Sequence, residues 1–510
     1  MSQLPAPAPA AADGEPAPSM PVPLGIQADT GRPLPEIDAP GLAAFSAREQ
    51  AARRAPERAA EKARQAETYA VLGDIDGDKL GEAGWGLLFP SDLDPAPYLD
   101  ALAPLIAWRR REAGDIAVFQ GADGCLPGET AATWLARHKV SLNVVDPALG
   151  VPYYLVLVGP PGRISFAFQY TLDLYWAVGR LDFAEVADFR HYADSVVAYE
   201  TAAGVAASRS IALFATCHDF DRATQLLTRQ LAAPLALGNA QAGPLGARQG
   251  FAMQPLLGEA ATKAALAEVL RGKGPGGPPA LLFTGSHGMG FRADDARLAA
   301  AQGALVCQDW PGYGAIGPEH WFAAQDVPDD AQCHGLIQFC FACYGAGCPE
   351  FDNFSRADGP AARLAPAPFT ARLPQRLLAH RHGGALAVLG HVDRAWAYGF
   401  QSERADPQTQ GFRDVAGSLL RGERVGQATD RFNIRWAALS TELADLLRDR
   451  GAGAAVSDAD LALRWVARDD ARNYVVLGDP AVRLRVRDMA GPAAGQPCPP
   501  QPGHASRAGL

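Results

Sequence analysis

Residues 280–291, ALLFTGSHGMGF, and residues 335–347, GLIQFCFACYGAG, decide how this chain is read. Each is an apolar run of strand length that stops at a reactive side chain with glycine close behind: His287 then Gly288, and Cys343 then Gly345. Two neighbouring strands ending this way put an imidazole and a thiol at one rim of a sheet. In an open parallel sheet, the rim at the carboxyl ends of the strands is where ligands bind. A thiol beside an imidazole ionises more readily and becomes a nucleophile near neutral pH. The two residues are 343 − 287 = 56 positions apart, so only the fold can unite them.

The flanking sequence supplies the rest of such a sheet. VPYYLVLVG (151–159) is a β-prone run closed by glycine and two prolines, and LYWAVGRLDF (174–183) leads into a helical pattern carrying Phe189, Tyr192, Val196 and Tyr199. A strand through Ile211 to Thr216 precedes a helix for which Asp221 is the cap. A further strand and helix follow within 251–272, then the His287 strand, the Cys343 strand, GGALAVLG (383–390), a long helix over about 430–450, and YVVLGDPAVRLRV (474–486). This alternation calls for a largely parallel sheet covered on both faces. Upstream, GWGLLFP (84–90) reads as a strand, and 97–112 as an amphipathic helix interrupted at Pro104.

Residues 1–40 are rich in Pro and Ala without periodic apolar positions and are expected to form a disordered tail, as are 491–510. Ser46 and Glu49 open a charged, solvated helix that runs to Glu67. The body divides into an N-terminal α/β region, 41–205, and a second α/β region, 206–490. With 48% hydrophobic and 20% charged residues the composition is ordinary for a globular chain, and a net charge of −10 argues against a nucleic-acid surface. No segment is apolar over the ~18–20 residues needed to cross a bilayer, so no membrane partner is expected. The first twenty residues lack the pattern of a secretory signal, and eight sparse cysteines suit reduced thiols in a cytoplasm.

Acyl transfer to a thiolate needs an imidazole to move the proton and backbone amides aimed at the developing oxyanion. Gly288 lets main-chain N–H groups come close, and the N–H groups of Gly288 and Cys343 are the candidate donors. Two other readings compete. Cys333, His334, Cys340, Cys343 and Cys348 are all zinc donors, with C-x-x-C spacing between Cys340 and Cys343, although residues three apart on a strand face opposite ways. Gly285, Gly288 and Gly290 cluster after a strand, but in the order G-x-x-G-x-G and not that of a dinucleotide fingerprint. Asp74, Asp76 and Asp78 resemble the start of a calcium loop, yet Lys79 and Trp85 stand where its glycine and glutamate belong, which favours a surface turn. His218 and Cys217 read as structural; His391 reads as a satisfied polar residue or a lining of the site.

SHG (286–288) and FACYGAG (341–347) resemble the His-Gly and Ala-Cys blocks of the caspase-like, clan CD cysteine peptidases, and within that group the gingipain family. VLVG (156–159), VGR (178–180) and AYE (198–200) are similar to the end of the gingipain non-catalytic first subdomain, and LGDP (477–480) to a block near the end of the catalytic region. The resemblance spans roughly 150–485. It implies a caspase-like three-layer α/β/α sandwich with a mostly parallel sheet, preceded by a second, smaller α/β subdomain. It also implies His287 as general acid/base and Cys343 as nucleophile of an endopeptidase working through a thioester acyl-enzyme on protein or peptide substrates. An orienting carboxylate is implied as well, with Glu200 the candidate. No cofactor is required, while family members often bind structural calcium. Met289, Gly290 and Phe291 after SHG, and Cys348, Pro349 and Glu350 after the nucleophile, depart from the best-known members. Glu350 and Asp352 are candidates for an acidic pocket that takes a basic side chain, or else form a solvated turn. An inactive peptidase-like scaffold that binds protein through the same rim is the alternative function.

Overall fold

The computed structural model describes residues 22–35, 37–52, 72–73, 75–240, 242–354, 361–397, 400 and 409–491. Its centre is one ten-stranded sheet. In chain order the strands are β1 (Trp85–Leu88), β2 (Ala117–Phe119), β3 (Tyr154–Val158), β4 (Ala177–Leu181), β5 (Ser208–Ala215), β6 (Ala252–Leu257), β7 (Pro279–Gly285), β8 (Ile337–Phe341), β9 (Ala387–His391) and β10 (Tyr474–Gly478). Across the sheet they run 2-1-3-4-10-9-8-7-5-6. Every neighbouring pair is parallel except β9 with β10. The protein is thus mixed α/β with a large, mostly parallel sheet.

All residues of β3, β4, β7, β8, β9 and β10 are buried. Alternate side chains of a strand point to opposite faces, so burial at every position means that both faces are covered. This is why most of these segments read as near-continuous apolar runs and not as alternating ones; in β4 the buried Arg180 is satisfied by Gln169 and by the Gly159 and Ile164 carbonyls.

The final strand joins the two regions. β10 lies parallel to β4, with Val476 opposite Gly179, and antiparallel to β9, with Val476 opposite Leu389. A Cβ on Gly179 would lie 2.2 Å from the Gly478 carbonyl oxygen, so VGR needs glycine where LGDP crosses it. Just past β10, the fully buried Asp479 accepts from Trp85 Nε1 at 3.0 Å and Arg109 Nε at 2.7 Å. Arg109 extends this knot to Glu200. The motifs near 179, 200 and 478 therefore hold the sheet together at its seam.

The helices include α1 (Ala39–Ala52), α2 (Ala96–Ala113), α3 (Val186–Thr201), α4 (Val425–Gly451) and α5 (Asp458–Arg472). α2 runs unbroken through Pro104, so the expected interruption does not occur. Its apolar residues are anchored by tertiary packing, such as Tyr98 edge-on to Phe189 of α3 at 5.0 Å, and packing outweighs local propensity. α4 is longer than expected, and α5 and β2 have no counterpart among the expected elements.

The largest correction concerns the N-terminus. From Val22 onward the expected disordered tail is folded: Gly25–Gln27 is a strand, Leu24 and Ile26 are fully buried, and α1 packs on α5. Leu42, Ala43 and Phe45 meet Leu461, Ala462 and Trp465, with the Phe45 and Trp465 rings 5.1 Å apart. Too few apolar residues to make a core alone suffice when another element supplies the other side of it. Residues 1–21, most of the expected charged helix beyond Ala52, and 492–510 lie outside the described residues.

Candidate active site

Strand register places the two reactive residues. β7 and β8 are parallel neighbours with Gly285 opposite Phe341. His287 comes two residues after Gly285 and Cys343 two after Phe341, so both leave the sheet at the same level of one rim. Their backbones touch there: a Cβ on Gly288 would lie 1.9 Å from the Cys343 carbonyl oxygen, which leaves glycine as the residue that fits. The Val306 N–H donates to the His287 carbonyl at 2.9 Å and fixes the turn from the far side. After Cys343 the chain reverses through Tyr344 at φ 60°, a left-handed conformation that a non-glycine residue adopts only when its surroundings impose it.

A third strand contributes the carboxylate. β5 lies beside β7, with Ala215 opposite Gly285, and Asp221 sits in the loop that leaves β5. Its Oδ2 is 2.8 Å from His287 Nε2 and also accepts from the Thr224 hydroxyl at 2.6 Å and the Thr224 N–H at 2.9 Å. The Tyr313 hydroxyl donates to Oδ1 at 2.9 Å. Burial by itself would raise the Asp221 carboxyl; attraction to His287 and the bonds from His287 and Thr224 win, and hold it well below the usual carboxylate range. An ionised Asp221 fixes the ring with its proton on Nε2. Nδ1 is then the basic nitrogen, and it is buried without a hydrogen-bond partner among the described residues. His218, packed against Phe220 and Trp310, is pushed down to about 4, first by burial and then by nearby His287.

Cys343 is fully buried. Burial pushes its thiol up, opposed by the Ala395 N–H, which donates to Sγ at 3.3 Å, and by Arg394. The N–H groups of Gly288 and Cys343 both donate, at 3.0 Å each, to one acceptor, the Leu24 carbonyl oxygen. Leu24 also donates its N–H to Ala395 O at 2.9 Å, and the Ala397 N–H donates to Val22 O at 3.3 Å. Beyond Leu24, Gly25–Gln27 runs parallel to Gly288–Gly290. The rim around Cys343 is thus an extended groove with main-chain partners on both sides, filled by residues 22–27.

The other sequence candidates lie elsewhere. Glu200 is bonded to Arg109 Nη1 at 2.6 Å, Arg109 Nη2 at 2.8 Å and Trp108 Nε1 at 2.5 Å. It balances a fully buried guanidinium at the sheet seam, and Asp221 takes the place beside His287 that Glu200 was expected to hold. Glu350 pairs with Arg363 at 3.0 Å in a partly exposed turn. Asp352 is buried against Arg394, so its charge is already compensated. Neither forms an acidic pocket. His391 lies fully buried under Tyr474, with ring centroids 4.2 Å apart, and burial takes it down to about 3. At the calcium-like turn, Asp78 pairs with Arg483 at 2.8 Å and Asp76 with Lys79 at 3.3 Å; Asp74 lies outside the described residues.

Asp221 carried a signal that sequence reading took for something else. Asp-Arg-Ala-Thr is a helix-capping pattern, and Asp221 does cap Thr224. A carboxylate has a second oxygen and further lone pairs, and the same group serves the imidazole.

No family model matches the chain, and no curated protein does. Among solved structures it is similar to the Arg-specific cysteine proteinase gingipain R at 12% identity and TM-score 0.44, over 79% of each chain. It is also similar to the complex of Porphyromonas gingivalis RgpB pro- and mature domains at 11% identity and TM-score 0.39, over 79% of this chain and 80% of that one. The Saccharomyces cerevisiae separase–securin complex follows at 10% identity and TM-score 0.28, over 64% of this chain and 16% of that one. Likeness this remote says nothing about chemistry.

Proposed function

We propose that the protein is a cysteine endopeptidase. The observation that carries this reading is the meeting of two backbone amides, Gly288 N–H and Cys343 N–H, on a single peptide carbonyl oxygen beside the Cys343 side chain. A packing cysteine has no need of such a pair, whereas acyl transfer does. The imidazole of His287, oriented by Asp221, supplies the remaining function.

In this mechanism Cys343 Sγ adds to the carbonyl carbon of the substrate as its proton passes to His287 Nδ1. The oxyanion forms between the two amides. The C–N bond then breaks, and the amine leaves with the proton from Nδ1, giving a thioester on Cys343. Water, deprotonated by the same nitrogen, hydrolyses the thioester and returns the thiol. Substrate lies extended, its main chain paired with 395–397 before the cleaved bond and with 288–290 after it, as residues 22–27 do.

A thiol-reactive peptide probe tests the proposal. It should modify Cys343 selectively over the other cysteines, and His287→Ala should slow that reaction greatly. Equal labelling of several thiols, unaffected by His287→Ala, would favour a protein-binding scaffold.

A further inference from the structure

The occupant of the groove is this chain. Leu24 is fully buried, its carbonyl oxygen is held by both oxyanion donors at 3.0 Å, and its N–H is bonded to Ala395 O at 2.9 Å. Pro23 pairs with Trp396 in an antiparallel bridge, and Gly25, Ile26 and Gln27 sit opposite Gly288, Met289 and Gly290. The sulfur lies alongside the next residue: a Cβ on Gly25 would be 2.9 Å from Cys343 Sγ and 2.4 Å from Leu34 Cδ1. Glycine is therefore the residue that lets the peptide come this close to the thiol. Nothing about this placement resembles a loosely draped tail. The segment is clamped on both sides of one peptide bond, and its return strand is tied down where Arg394 Nη1 donates to Pro35 O at 2.9 Å.

Building on the peptidase reading above, we propose that Leu24–Gly25 is the first bond this enzyme cuts. Residues 22–27 are its built-in substrate, and they set the preferred sequence: a leucine-sized apolar residue before the cleaved bond and glycine after it. The step balances as for any peptide. Sγ bonds to the Leu24 carbonyl carbon, the bond to Gly25 N breaks, and that nitrogen takes a proton from His287. Water then frees residues 1–24 with a carboxylate on Leu24 and restores the thiol. Until that cut the groove is closed to other peptides, because Leu24 holds both oxyanion donors and Gly25 lies against the fully buried Cys343. The cut ends the covalent tie between residues 22–24 and the anchored hairpin, so the acyl side can depart.

The test uses the full chain. Purified wild type and Cys343→Ala are incubated and followed by intact mass and N-terminal sequencing. Leu24→Asp, which puts a carboxylate at a buried position and unseats the segment without touching Cys343 or His287, is assayed on the peptide Val-Pro-Leu-Gly-Ile-Gln. The expected result is a wild-type chain that begins Gly-Ile-Gln, an intact Cys343→Ala, and a Leu24→Asp variant that cuts the peptide between Leu and Gly. A wild type uncut at this bond, beside a Leu24→Asp variant that hydrolyses the peptide, would overturn self-cleavage while leaving the peptidase standing. No cut in the wild type and no hydrolysis by Leu24→Asp would overturn both.

Discussion

Asp221 Oδ2 lies 2.8 Å from His287 Nε2, joining residues 66 positions apart at the ends of neighbouring strands. The carboxylate decides which ring nitrogen carries the proton. Asp221→Asn keeps the shape but favours the other tautomer, so its rate of peptide hydrolysis should fall by roughly 10²–10⁴-fold. Glu200→Gln, in contrast, should leave that rate within about twofold and lower stability by about 1–3 kcal/mol, because it weakens the bonds to buried Arg109. Steady-state kinetics and urea denaturation on both variants check the pair. An intact rate in Asp221→Asn would remove Asp221 from the site.

A side chain at Gly25 would run into both the Cys343 thiol and Leu34. In a His287→Ala background, which keeps Leu24–Gly25 uncut, Gly25→Val should push the segment off Cys343 and raise the alkylation rate of that thiol at least tenfold, measured by mass-resolved iodoacetamide labelling. Unchanged protection would show that residues 22–27 do not cover the sulfur in solution.

Asp352 is buried against Arg394, and Glu350 faces Arg363 in a partly exposed turn. Asp352→Ala leaves a buried guanidinium without this partner and should cost about 3 kcal/mol by denaturant unfolding. Glu350→Gln should leave the cleavage profile of a peptide library unchanged. A shift of that profile away from Arg and Lys would restore the acidic-pocket reading.

Buried Asp470 is raised to about 7, first by burial, with Arg435 and the Trp396 N–H pulling the other way. A carboxyl whose folded value lies above its unfolded value of about 3.9 stabilises fully below that unfolded value and loses the contribution as pH rises through about 7. Asp470→Asn removes the titration. The difference in unfolding free energy, variant minus wild type, should therefore grow more positive between pH 4 and pH 8, by up to about 4 kcal/mol. A flat difference across that range would mean that Asp470 is not held protonated.

Asp221 has the opposite sign. Its folded value is depressed by His287 and Thr224, so its contribution is present above about pH 4 and is lost as pH falls towards the folded value. Wild type should lose stability on acidification below pH 4 more steeply than Asp221→Asn, as read from urea midpoints across that range.

Much of the sheet was legible before any coordinates. β3, β7 and β10 are apolar runs closed by glycine, and β8 and β9 are largely apolar, because strands covered on both faces bury nearly every side chain; β4 departs from this, since it carries buried Arg180. The reactive pair was legible for a related reason, since each residue stands two positions past the end of such a strand. Pro104 misled because local propensity gives way to packing within α2. Glu200 misled because a short motif carries no information on what its carboxylate meets, and here it meets Arg109.

The sequence by itself determined which strands form the centre and that His287 and Cys343 stand at their ends, since burial pattern and chain order are local properties that one strand's residues carry alone. Only the tertiary structure decided that Asp221 faces the imidazole and that Leu24 lies between the Gly288 and Cys343 amides. Those contacts depend on how parallel strands are registered and on which loops their ends bring together. Hydrogen bonds between segments so far apart leave no periodicity in the sequence to read.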